Sequence, residues 1–135
     1  MKLIKGFLLL NAVAWLFYGI YCLLQPALLT ELTGMQITTP TAVTEVRAMY
    51  GGVQMAIGVV CLLALFNPGL LRPALVMLTF VMAGLALART LGLLLDGSTT
   101  GYVLGAIAFE AVFAGLSGLC LRRVSHLPVA AVAHG

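Results

Sequence analysis

Three ionisable side chains, Arg47, Arg89 and Glu110, stand inside runs of apolar residues long enough to cross a bilayer. Two guanidiniums and one carboxylate can do three kinds of chemistry there. They can pair with one another, hold an anionic or amphipathic molecule, or pass a proton through the acid. A charge at the bilayer centre costs about 2.5–3.5 kcal/mol on insertion scales, so each of these groups needs a partner or a purpose. A guanidinium cannot shed its charge by deprotonation. With two arginines to one glutamate, the set keeps a surplus positive charge that invites an anion or a polar headgroup.

Helical periodicity supplies companions for these groups. Arg47, Tyr50, Gln54 and Gly58 follow one another at spacings of three and four, which places them on one helix face. Arg89 and Asp96 are seven apart and share a face, as do Glu110, Phe113 and Ser117. In the first apolar run, Asn11, Trp15, Tyr18 and Cys22 form a polar and aromatic stripe. The expected site is therefore a ligand-binding pocket or buried ion-pair network of Arg47, Tyr50, Gln54, Arg89, Asp96 and Glu110, lined by Asn11, Trp15 and Tyr18. No residue set is singled out as catalytic.

The elements that must position these residues are membrane helices. In 135 residues, 62% are hydrophobic and only 8% charged, against about 25% charged in soluble domains. Mean hydropathy is +1.14. Such a chain cannot coat a water-facing surface. Breakers divide it into four spans of roughly 6–24, 41–66, 73–95 and 102–121, followed by a tail, 122–135. Gln25-Pro26 ends the first span, Thr39-Pro40 caps the second, Asn67-Pro68-Gly69 makes a turn, and Asp96-Gly97 opens a short polar loop. Lys2 and Lys5 before an apolar stretch resemble a secretory signal, but the stretch runs on through Leu24. That length predicts an uncleaved first membrane helix.

Loop charge sets the expected orientation. Lys2, Lys5, Arg72, Arg122 and Arg123 fall on the side of both termini, while Glu31, Asp96 and Glu45 fall on the other. The positive-inside rule then puts both termini in the cytoplasm. With short connections, the expected fold is an all-α membrane protein, an up-down four-transmembrane-helix bundle. At 1.5 Å per residue, Arg47, Arg89 and Glu110 lie about 9, 10 and 13 Å from the outer ends of their helices. Small residues at spacing four, Ala48, Gly52 and Ala56, together with Gly101, Gly105 and Ala108, are the expected sites of close helix approach.

Several function classes drop out. The net charge of +3 comes from a few scattered basic residues, which is no nucleic-acid footprint. Cys22, Cys61 and Cys120 are odd in number and widely spaced, so they form neither a disulfide framework nor a redox pair. His126 and His134 lie in the tail, leaving no histidine in the spans for haem ligation or to activate Ser117. No cluster has zinc spacing. No cofactor or metal is expected.

The stretch Glu45-Val46-Arg47-Ala48-Met49-Tyr50-Gly51-Gly52 resembles the E-x-R-x-x-Y-G-G signature of an uncharacterised bacterial family of small four-helix integral membrane proteins, distantly similar to DoxX-like proteins. Arg89 with Gly92, Asp96 and Gly97, and the acid Glu110 in the last helix, are similar to that family's pattern too. The resemblance covers nearly the whole chain and implies a four-helix architecture in a bacterial inner membrane, without an activity. A second likeness, to four-helix membrane enzymes of eicosanoid and glutathione metabolism, fails after the arginine, where Gly51, Gly52 and Gln54 replace the expected Asn and Glu.

Three readings follow. The first is a binding module whose outer-half pocket takes a lipid-like or other amphipathic ligand at Arg47 and Arg89. The second is an accessory or assembly subunit, partnered by another membrane protein or by copies of itself. The third is an enzyme on a membrane-embedded substrate, with Glu110 as acid/base and Tyr50 as hydrogen-bond donor.

Overall fold

Prolines set the helix boundaries. A residue that precedes proline is pushed out of the helical region into extended backbone. Gln25 (φ −126°, ψ 72°), Thr39 (φ −115°, ψ 153°) and Asn67 (φ −118°, ψ 104°) all stand before prolines, and all three leave the helical region, Thr39 and Asn67 into extended backbone. In the computed structural model, which describes residues 1–125, the chain is helical between these points, and the described residues include no strand. Helix α1 is Lys2–Leu24, followed by a short α2, Leu28–Thr33. The second span comprises α3, Pro40–Val46, a π-helical segment, Arg47–Gly52, and α4, Val53–Phe66. Helices α5, Pro68–Asp96, and α6, Gly101–Ser125, complete the fold. Four helical stretches are long and apolar enough to cross a membrane: Lys2–Leu24, Pro40–Phe66, Pro68–Asp96 and Gly101–Val124.

The spans differ from the sequence reading in instructive places. The connection before Pro40 contains α2, which Gly34 ends in the left-handed conformation (φ 75°) that a residue without Cβ adopts freely. Helix α5 starts at Pro68 rather than Pro73. Pro73 falls in its second turn, where the missing N–H removes only one bond near a helix end. Helix α6 continues past Leu121 to Ser125, which brings Arg122 and Arg123 into its last turn, where cations oppose the negative end of the helix dipole. The tail histidines, His126 and His134, lie outside the described residues.

At the start of the second span, Thr39 Oγ1 accepts a hydrogen bond from the Ala42 N–H at 3.2 Å, and Pro40 occupies the first helical position. Thr39→Ala is expected to cost about 1 kcal/mol through the lost cap, read as a lowered midpoint in detergent-solubilised unfolding followed by circular dichroism.

Packing divides the chain into two compact units, Met1–Asn67 and the part from Pro68 onward. In the first, α1 lies against the second span. Buried Ile4, Leu8, Asn11, Ala12, Gly19 and Cys22 form one face of α1, and Ile57, Gly58, Cys61 and Ala64 one face of α4. The two helices close through glycine. A Cβ added at Gly58 would stand 2.9 Å from the Leu16 nitrogen, one at Gly19 would stand 2.8 Å from the Met55 nitrogen, and one at Gly51 would stand 3.0 Å from the Leu23 Cβ. The sequence reading expected this approach at Ala48, Gly52 and Ala56, which are instead exposed.

In the second unit, α5 and α6 form a hairpin around a four-residue turn, 97–100. Gly97 (φ 66°) donates its N–H to the Leu93 carbonyl as the chain leaves α5. Leu71, Ala74, Leu75, Leu78 and Met82 are the buried stripe of α5. On α6, Glu110, Ser117 and Val124 are buried at a spacing of seven.

Candidate functional site

The hairpin geometry of the second unit brings two sequence-predicted residues together. Arg89 is seven residues before the end of α5 and Glu110 nine residues after the start of α6, so antiparallel packing puts them at one level. Arg89 Nε donates a hydrogen bond to Glu110 Oε1 at 2.8 Å. The Glu110 side chain is 7% exposed and that of Arg89 29%. Lower in the hairpin, Gly118 stands opposite Thr79, consistent with the same register.

The bond is a single prong, made by Nε rather than by the two-nitrogen fork that arginine presents to carboxylates elsewhere. Glu110 Oε2 is buried and has no hydrogen-bond partner among the described residues. The Tyr102 ring, in the first turn of α6, lies with its centroid 5.7 Å from the Arg89 Cζ, within cation–π range. The pair is neutral as a whole. It retains one buried acceptor on the acid and the outer donors of the guanidinium.

In the first unit, Arg47 opens the π-helical segment and Tyr50 lies within it. The Val53 N–H reaches back five residues to the Ala48 carbonyl, the widened turn that defines such a segment. This alters the face expected from spacing. In an uninterrupted α-helix Arg47 and Gln54, seven apart, point the same way. A π turn absorbs roughly one extra residue and so displaces Arg47 by about 100° around the axis. Arg47 is exposed, whereas Tyr50 and Gln54 are half-buried and Gly58 buried. Gln54 Oε1 is buried without a partner among the described residues.

The remaining predicted residues divide by role. Asp96 ends α5 and is exposed, so it is no part of a buried network. Its position as the last helical residue, next to the turn, explains this. Asn11 is buried and its Nδ2 donates to the Phe7 carbonyl at 2.8 Å, one turn back on its own helix. Trp15 and Tyr18 are half-buried on α1. Ser117 Oγ donates to the Phe113 carbonyl at 2.7 Å and lies 3.0 Å from that of Ala114. A hydroxyl engaged in this way satisfies its own helix.

Two features were missed in the sequence. Spacing did not single out Tyr102, and only the fold shows its ring beside Arg89. The π segment had a local signal, the Gly51-Gly52 pair inside a helical run, because glycines loosen helix geometry. It coincides with the Arg47-x-x-Tyr50-Gly51-Gly52 motif, and π-helical turns occur frequently at functional sites.

Among the described residues, no three His, Cys, Asp or Glu side chains are placed to hold a metal ion. No curated protein and no solved structure matches the chain. One family model does match, over residues 3–121, and its description is a domain of unknown function. On that match, spanning nearly the whole sequence and carried on four membrane-capable helices, the chain belongs to the DUF4345 family.

Proposed function

We propose that this protein is a small multi-pass protein of a bacterial inner membrane that binds a lipid-like or amphipathic ligand through a polar site centred on Arg89 and Glu110. Its spans run up and down in the membrane, with both termini cytoplasmic and the 97–100 turn outside.

One observation carries the reading: Glu110 Oε2 is buried with no partner among the described residues. An unmet acceptor of that kind costs about 1–3 kcal/mol, more when charged, unless something donates to it. A chain that needed only a helix-locking ion pair could have used both carboxylate oxygens in a bidentate fork. A ligand with a polar head and an apolar body satisfies the acceptor and suits the surrounding solvent.

Native mass spectrometry of the protein purified in mild detergent tests this. A bound amphiphile is expected on the wild-type chain and expected to be lost in the double variant Arg89→Met/Glu110→Met. A bare chain mass in the wild type would overturn the ligand reading, and a stable partner protein in its place would favour an accessory subunit. Orientation is checked by single cysteines in a cysteine-free background. Ser98→Cys should react with an impermeant maleimide added to intact cells, and Arg123→Cys should react only after lysis.

A further inference from the structure

The buried, unpartnered atom at the site is an oxygen of a carboxylate, and this limits what can complete it. The strongest complement to a carboxylate oxygen is a charged N–H donor, which makes a shorter bond than a neutral one, with roughly twice the strength. Net charge limits the ligand further. Arg89 and Glu110 already neutralise each other at 2.8 Å, so a ligand with net charge would leave that charge uncompensated near hydrocarbon, at a cost of several kcal/mol. A ligand carrying both signs on adjacent groups avoids the penalty. The guanidinium can receive its negative part, because the bond to Glu110 uses Nε and, beyond the hydrogen bond to the Tyr102 side chain, further Nη donors remain for another partner. Tyr102 beside Cζ supports the guanidinium in this position.

Depth agrees with a headgroup. The 29 residues of α5 extend about 43 Å at 1.5 Å per residue, the thickness of a bilayer with its interfacial zones, about 40–45 Å. The end of α5 therefore reaches the headgroup zone. Arg89, about 10 Å in from that end, stands only a few ångströms inside the hydrocarbon boundary. A headgroup drawn slightly inward meets it while its acyl chains stay among lipid.

We propose that the Arg89–Glu110 site recognises a zwitterionic phospholipid headgroup with a primary ammonium, as in an ethanolamine phospholipid. The ammonium donates to Glu110 Oε2 and the phosphate accepts from the Arg89 guanidinium. The inference rests on the ligand-binding reading above and names the class of ligand. A choline headgroup has the same two charges but no N–H to donate, and a glycerol headgroup has the phosphate without the cation.

The test is competitive retention of the three lipids by the full-length, delipidated chain, measured by native mass spectrometry with ethanolamine, choline and glycerol phospholipids of matched acyl chains. The ethanolamine lipid should be retained about tenfold over the choline lipid, the equivalent of one hydrogen bond to a charged group. That preference should vanish in Arg89→Met/Glu110→Met and weaken in Glu110→Gln, which keeps the shape of the side chain. Equal retention of all three lipids, or preference for the glycerol lipid, overturns the headgroup assignment while leaving an amphiphile-binding protein. Retention of no lipid or other amphiphile overturns the ligand reading as well.

Discussion

Gly58→Ala is expected to destabilise the first helical hairpin by about 1–3 kcal/mol, the cost of forcing a methyl group into a filled space, and Gly58→Leu to prevent its packing. The added Cβ would stand 2.7 Å from Leu16 Cγ, 2.9 Å from the Leu16 nitrogen and 3.2 Å from the Ala12 carbonyl oxygen. A leucine side chain can rotate away, but the backbone atoms belong to α1 and cannot yield without moving that helix. Gly19→Ala should behave alike, since its Cβ would meet the Met55 nitrogen at 2.8 Å and the Gly51 oxygen at 2.9 Å. Without a hydrophobic drive between helices in lipid, such close contact supplies much of the association energy. Gly105→Ala is the control. Beyond its own stretch of helix backbone no heavy atom lies within 4 Å of its added Cβ, and alanine's better helix propensity predicts a neutral or slightly stabilising change. Unfolding in mixed micelles with increasing dodecyl sulfate, followed by circular dichroism, measures the three alanine variants. A Gly58→Ala protein as stable as wild type would refute the close packing of α1 on α4.

The second large effect is expected at the ion pair. Glu110→Met should cost about 3 kcal/mol, the low end for breaking a buried pair, because Arg89 stays charged with its partner gone. Arg89→Met should cost less. The remaining acid can take up a proton and become neutral, an escape closed to the guanidinium. The double variant Arg89→Met/Glu110→Met should return to within about 1 kcal/mol of wild type, since apolar groups of similar volume often replace buried pairs without loss. The same micelle titration gives the three values and, from them, the coupling between the residues. A double variant whose loss equals the sum of the two single losses would show that the 2.8 Å contact contributes no coupling to stability.

Much of this architecture was legible because lipid imposes a coarse rule. An apolar run of about 20 residues must be a helix whose backbone bonds to itself, and proline marks where such runs end. The Arg89–Glu110 contact was legible as well. A short turn after Asp96 makes antiparallel neighbours inevitable, and counting residues away from that turn gives nearly equal depths. What escaped the sequence reading depends on details finer than periodicity. The face assigned to Arg47 assumed 3.6 residues per turn throughout, and one widened turn at Arg47–Gly52 defeats the assumption. Ala48, Gly52 and Ala56 were expected at the close helix contact because they have the right size and spacing, but Gly51 and Gly58 stand there instead. Asp96 looked like part of the site because it shares a face with Arg89, though a face says nothing of burial at a helix end.

The widened turn also separates two properties that a regular helix ties together, the level of a residue in the membrane and its compass direction. Were the Arg47–Gly52 segment to tighten to ordinary α-helix with no residue lost, the piece Pro40–Val46 would swing by about 100° about its axis while shifting along it by only about 1.5 Å. Such a change acts as a rotation and hardly as a change of length. Losing one residue there does the opposite: the turn becomes ordinary α-helix and the pieces on either side keep their facing. Length variation at this point is absorbed, whereas a change of turn type re-aims the polar groups of the motif.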